Sequence, residues 1–185
     1  MGGRRFVFEP HRCFACGELN EHGLQLGLHA DSSGCWTEVT LDPAFQGWDG
    51  VAHGGILCTI LDEVMAWSVI GQDTWGVTAR MTVDFKRPVA VGRRLRAEAT
   101  VTSSQRRLIR TEGRLMDAET GALLATSEGT YMAAPPERLA ELKARCRLRP
   151  ASTIADGTRA DGAVERGIGA VERGIAADAP ALVDR

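Results

Sequence analysis

The groups that could do chemistry are concentrated in one stretch, Phe45-Gln46-Gly47-Trp48-Asp49-Gly50-Val51-Ala52-His53-Gly54-Gly55, which runs straight into an apolar segment holding Asp62. Gly47 and Gly50 mark a loop, and Gly54-Gly55 places bare backbone at the start of an expected helix. The first amides of a helix have no acceptor a turn earlier, and the macrodipole there favours negative charge. A carbonyl oxygen docked on those amides would be polarised, and an oxyanion formed there would be stabilised. Asp62 stands between Leu61 and Glu63 in the apolar helix, where a carboxylate is costly unless it has a partner or a task. Glu63 points about 100° away around the helix axis, so the two acids do not form a cooperating pair. Glu63 is expected to be structural or to lie at a subunit interface.

Other groups offer less. Lys86, Arg87, Arg93 and Arg94 form the densest basic cluster near this stretch, either a cradle for phosphate oxygens or a solvated strand end. The run Lys143, Arg145, Arg147 and Arg149 reads as a solvated helix face. His11, Cys13 and Cys16 supply three potential zinc ligands. A structural site normally takes four, a second Cys-x-x-Cys is missing, and His22 is the spare candidate. A reduced thiol pair is therefore the preferred reading, with no metal or other cofactor expected. Cys58 falls in the apolar helix and is expected in the core. Of Trp36, Trp48, Trp67 and Trp75, Trp48 and Trp67 are the candidates to line a pocket. The Gly-x-Ser-x-Gly elbow of serine hydrolases and the Gly-x-x-x-x-Gly-Lys phosphate loop do not occur.

The elements that must position these groups follow from periodicity. Gly23–His29 and Cys35–Leu41 read as strands around an Asp31-Ser32-Ser33-Gly34 turn. A helix is predicted over about Gly54–Ile70, then strands over Val77–Phe85, Leu95–Val101, Leu108–Met116 and Leu123–Met132. The last two are joined by Asp117-Ala118-Glu119-Thr120-Gly121 as a hairpin connection. A short helix from Pro135 to about Leu148 closes the domain. Leu57, Ile60, Leu61, Val64 and Ser68 make one stripe, and Met65, Trp67 and Val69 extend the apolar surface beyond it. A helix so apolar needs enclosure, and the sheet is the available surface. The α+β class follows, with a hotdog fold, a curved antiparallel sheet wrapped around one long helix, as the arrangement that satisfies it.

The functional domain is expected over 10–148. From 149 to 185 large apolar residues are scarce and a heptapeptide, Gly162 to Ile168, recurs as Gly169 to Ile175. This reads as a low-complexity, weakly ordered tail. The whole chain of 185 residues carries a formal net charge of −2, which gives no general attraction to nucleic acid or to an anionic membrane. No signal peptide or membrane span is expected. Five cysteines without a dense framework suggest reduced thiols and a cytoplasmic location.

His53-Gly54-Gly55 followed by Asp62 resembles the active-site segment of hotdog acyl-CoA thioesterases of the phenylacetate-degradation type. Thr78-Ala79-Arg80-Met81-Thr82-Val83-Asp84-Phe85-Lys86-Arg87-Pro88-Val89 is similar to the family's strand after the helix. Cys13-Phe14-Ala15-Cys16-Gly17 with Asn20 and Gly23-Leu24 resembles an N-terminal signature of one bacterial branch. The resemblance covers about 13–133. It implies hydrolysis of an acyl-CoA, or acyl-carrier-protein, thioester to free acid and thiol. Asp62 would be general base on a water or nucleophile on the thioester carbonyl. Backbone N–H of Gly54 or Gly55 would bind the thioester oxygen, His53 would orient the loop or the thioester, and Thr78 would position water. Gln46, Gly47, Trp48, Lys86, Arg87 and Arg93 would contact substrate. The acid and the glycine loop of one site would come from different subunits of a homo-oligomer. Some members carry Asn six residues before the His, where this chain has Gly47; Gln46 or Asp49 could take over. Two other readings stay open: a non-catalytic acyl-CoA-binding module, and an enoyl-CoA hydratase or dehydratase using Asp49 and His53.

Overall fold

Runs of alternating apolar residues pair into one antiparallel sheet, and the long apolar stretch between them coils into a helix laid on it. The computed structural model describes residues 6–8, 10–146 and 148–150. In chain order the elements are β1 (Phe6–Phe8), β2 (Leu28–Asp31), β3 (Gly34–Thr40), β4 (Gln46–Trp48), β5 (Val51–Ala52), α1 (Gly54–Gly71), β6 (Gly76–Phe85), β7 (Arg94–Gln105), β8 (Leu108–Asp117), β9 (Leu123–Ala133), α2 (Pro136–Cys146) and β10 (Leu148–Pro150). Six strands form the main sheet in the order β2-β3-β7-β8-β9-β6, all neighbours antiparallel. The α1 helix touches every one of those six strands. This is the hotdog fold expected from the sequence.

The α1 stripe behaves as its spacing dictates. Leu57, Ile60, Leu61, Val64 and Ser68 are all buried, and so are Met65, Trp67 and Val69. Its 18 residues are long and apolar enough to cross a bilayer by composition, but that surface is spent on the sheet. The facing strands carry small residues where the helix comes closest. An added Cβ at Gly113 would lie 3.2 Å from Met65 Cγ, and one at Gly129 would lie 2.5 Å from Thr111 Oγ1 and 3.1 Å from Met65 Sδ. Leu95, Ala97, Ala99, Ile109, Leu115 and Ala125 fill the rest of that face. Native packing density leaves no room for larger residues there.

Boundaries differ in several places: β7 runs on to Gln105 instead of ending at Val101, and the closing helix ends at Cys146 with Leu148–Pro150 a strand; a further shift has a plain physical reason. The strand predicted over Gly23–His29 is confined to Leu28–Asp31, because the residues before it bond to the N-terminal loop. Leu24 N–H donates to Phe14 O at 2.8 Å and Leu26 N–H to Ala15 O at 2.9 Å. The expected Asp31–Gly34 turn forms, with Asp31 Oδ1 accepting from Ser33 N–H at 2.7 Å. The β8–β9 turn is capped by Asp117, which accepts from Glu119 N–H at 3.1 Å and Thr120 N–H at 2.8 Å. Leu148–Pro150 pairs antiparallel with Phe6–Phe8. The low-complexity reading beyond 150 falls outside the described residues.

The β6 strand is an outer strand of the sheet, and most of its residues are exposed. A register shift between Thr78 and Arg80 interrupts its pairing with β9. Thr78 turns toward the helix before the bulge, and Met81 and Val83 pack on the core after it. The inward parity thus switches from even to odd, which is how a bulge re-aims a side chain.

Candidate active site

Asp62 lies half-buried in the middle of α1, held by two hydroxyls that come from different strands. Thr78 Oγ1, on β6, donates to Asp62 Oδ1 at 2.8 Å. Tyr131, on β9, has its hydroxyl 2.8 Å from the same Oδ1 and 3.0 Å from the Asp62 backbone carbonyl. Tyr131 is only 1% exposed, and burial, followed by the charge of Asp62, pushes its phenol well above the usual range. It therefore remains a protonated donor. Both donors converge on Oδ1, and no hydrogen bond to Oδ2 is found among the described residues. That asymmetry suits a positioned base.

The helix N-terminus is built from the loop before it. The β4–β5 hairpin turns at Gly50, whose φ of 73° favours glycine. Gly50 N–H donates to Gln46 Oε1 at 3.0 Å, so the Gln46 carbonyl is occupied in stabilising the turn. Gly47 lies against His53: a Cβ there would come within 3.0 Å of His53 Cδ2. An Asn at this position would press on that ring.

His53 caps the helix, its Nδ1 accepting from Gly55 N–H at 2.9 Å. Of the two amides proposed as oxyanion donors, Gly55 is thus consumed by the cap. Gly54, the first helical residue, has no acceptor a turn earlier. Its N–H is the donor left for a ligand. An ideal α-helix rises about 1.5 Å per residue, so Gly54 and Asp62 of one chain stand about 12 Å apart along the axis. No single thioester carbonyl bridges that gap.

The remaining candidates are divided by their partners. Arg93 is engaged by Asp117, with Nε 3.0 Å from Oδ2. Contacts to Thr120 N–H and to Arg93 hold the Asp117 carboxyl down at about 2. Arg94 pairs with Glu38. Lys86 keeps a loose pair with Asp84 at 3.6 Å, and Arg87 is exposed with no ion pair among the described residues. Lys86 and Arg87 are therefore the members of the basic cluster available to an anion. Trp48 is 84% exposed, while Trp67 is buried and donates from Nε1 to Glu63 Oε1 at 3.0 Å. Trp67 belongs to the core and not to a pocket.

The residue missed in the sequence is Tyr131. Its alternation with the buried Ser127 and Gly129 puts it on the inward face of β9, but nothing local ties it to Asp62, 69 positions earlier. A polar groove of about 390 Å³, lined in part by Arg80, Thr82, Arg110, Glu112 and Glu128, includes none of these groups.

A long helix on a six-stranded antiparallel sheet is the hotdog arrangement, and here an acid stands at mid-helix with glycine amides at its start. Residues 49–123 match the family profile of the Thioesterase superfamily. Among solved structures, a thioesterase superfamily protein is 25% identical at a TM-score of 0.62, over 65% of this chain and 60% of that one. The chain thus spans less than two thirds of that relative's length. The PaaI protein of the phenylacetic acid degradation operon of E. coli is 21% identical at a TM-score of 0.56, over 59% of this chain and 83% of its own. A hypothetical thioesterase from Streptococcus pneumoniae TIGR4, solved with coenzyme A, is 16% identical at a TM-score of 0.56, covering 59% and 85%. No curated protein matches the sequence.

Proposed function

We propose that this chain is an acyl-CoA thioesterase that works as a homodimer, with Asp62 of one subunit and the Gly54 amide of the other completing each site. The observation that carries this reading is the Asp62 carboxylate, fixed through one oxygen by hydroxyls of both Thr78 and Tyr131. Pure binding of an acyl group gains nothing from a carboxylate held in this way, whereas hydrolysis uses one as its base.

The separation of about 12 Å between Gly54 and Asp62 argues for two copies. So does the outer strand β6, where Val77 is 70% exposed and Phe85 51%. Unpaired strand edges with apolar side chains are natural pairing surfaces. Antiparallel pairing of two β6 strands about a two-fold axis would run the helices in opposite directions and bring each Gly54 toward the other Asp62.

In the reaction so arranged, Asp62 takes a proton from water, and the resulting hydroxide adds to the thioester carbon. The oxyanion forms on the Gly54 amide. Collapse breaks the C–S bond, and the thiolate leaves and is protonated to the free thiol. Direct attack by Asp62 would pass instead through a mixed anhydride that water then opens. Lys86 and Arg87, at the exposed end of β6, suit the CoA phosphates. The five cysteines, too few and scattered for a dense disulfide framework, suit a cytoplasmic setting.

Purified protein incubated with short, long and aromatic acyl-CoAs should release free thiol. Hydration of an enoyl-CoA without thiol release would assign the chain to hydratases instead.

A further inference from the structure

The N-terminal loop carries a second cluster that the proposed hydrolysis does not use. His11, Cys13 and Cys16 present their ligand atoms within 4.8 Å of one another. The His11 Nε2 to Cys16 Sγ separation is 3.4 Å. Tetrahedral zinc with bonds of about 2.3 Å to sulfur and about 2.05 Å to nitrogen sets neighbouring S and N ligands about 3.6 Å apart. The observed spacing is already that of one edge of such a site.

The loop is organised to keep these atoms together. Gly17 N–H donates to Cys13 O at 3.0 Å, and Leu19 N–H to His11 O at 3.0 Å. A Cβ at Gly17 would collide with the backbone of Cys13 and His11, so only glycine closes this turn. Ala15, Leu24 and Leu26 anchor the loop in the core.

A fourth donor comes from the central helix. The Glu63 carboxylate lies outside the three-residue cluster but close enough to the Cys16 thiol to interact with it, while Trp67 Nε1 steadies its Oε1. His22, the spare ligand weighed from sequence, is exposed and lies outside the cluster. We propose that His11, Cys13 and Cys16 bind a zinc ion, with Glu63 moving in as the fourth ligand, and that this ion staples the N-terminal loop to α1 beside Asp62.

Two thiolates with a neutral imidazole neutralise Zn²⁺, the Glu63 carboxylate then leaves the site with one net negative charge, and the thiol protons pass to solvent. The imidazole nitrogen on Cys16 and the carboxylate beside it favour this reading over a dithiol that simply oxidises. A redox pair needs two sulfurs and no third or fourth donor.

The test uses the full chain, purified without chelator under reducing conditions. Elemental analysis should find about one zinc per chain. Exchange for cobalt(II) should give the thiolate charge-transfer band and the intense visible bands of a tetrahedral site. Cys13→Ser and Cys16→Ser should abolish both signals, while His22→Ala keeps them. Glu63→Gln should weaken cobalt binding on the order of tenfold; unchanged affinity would remove Glu63 from the ligand set. If a cysteine variant fails to fold, the wild-type cobalt spectrum still decides. Reduced wild-type protein without stoichiometric metal and without a cobalt–thiolate band overturns the proposal, as does a resting Cys13–Cys16 disulfide. These readouts follow metal and not turnover, so they stand or fall apart from thioester hydrolysis.

Discussion

The Tyr131 hydroxyl reaches from β9 to α1 and sits 2.8 Å from Asp62 Oδ1 and 3.0 Å from the same residue's backbone carbonyl. One phenol therefore steadies both the acid and the turn of helix that carries it.

Tyr131→Phe removes that donor and leaves a half-buried carboxylate with one hydroxyl instead of two. Hydrogen bonds to charged groups contribute roughly 1.5–3 kcal/mol, so stability in urea should fall by about that amount. Turnover should drop about tenfold or more, with a smaller change in KM, because the acid loses its aim. Combining Tyr131→Phe with Thr78→Val should be non-additive, since both donors serve one oxygen. Strict additivity in turnover would mean that the two act separately.

Asp62→Asn keeps the shape and removes the base. Thiol release from the best acyl-CoA should fall on the order of 10²–10⁴-fold, with circular dichroism unchanged. Wild-type turnover in this variant would rule out the acid as the reacting group.

Gly54→Pro isolates the amide. Proline is favoured at the first helical position, and His53 before it is extended, with φ −66° and ψ 131°. Helix and melting temperature should be preserved while one N–H is lost. The cost in kcat should be on the order of 10²–10³ if that N–H holds the oxyanion. Full activity would place the oxyanion elsewhere.

Mixing the Asp62→Asn and Gly54→Pro proteins, unfolding and refolding them together, tests whether sites are shared between subunits. Random pairing makes half the dimers mixed, each with one intact site out of two, so roughly a quarter of wild-type activity should return. If each subunit carries a whole site, mixing recovers nothing.

Asp117 gives a pH dependence with a definite sign. Its folded-state carboxyl sits at about 2, below the ordinary 3.8, held there by Thr120 N–H and Arg93. A depressed acid contributes stability that is fully present above its unfolded value and is lost as pH falls through the folded one. The stability gap between wild type and Asp117→Asn should be constant from pH 7 to about 5, then shrink between about 4 and 2. Urea melts across that range measure it, and a gap independent of pH would remove the carboxylate from the cap.

How much of this was legible depends on whether a feature is local. The spacing of Leu57, Ile60, Leu61, Val64 and Ser68 fixed the buried face of α1, because periodicity reports which side of an element avoids water. The glycine pair placed the start of the helix, because backbone without side chains leaves its first amides accessible. The acid at 62 stood out for its apolar surroundings.

Periodicity does not say what lies opposite a buried face, and that is where the sequence stopped. The partnership of Asp62 with Tyr131, the capture of Arg93 by Asp117 and the approach of Glu63 to Cys16 join residues far apart along the chain. Each depends on strand order and register, and the bulge between Thr78 and Arg80 shifts register by a residue that no pattern announced. The sequence by itself determined which residue types were available and on which faces they would lie. The tertiary structure alone decided which of them meet, because the pairing of strands, and not their composition, sets the distances between side chains.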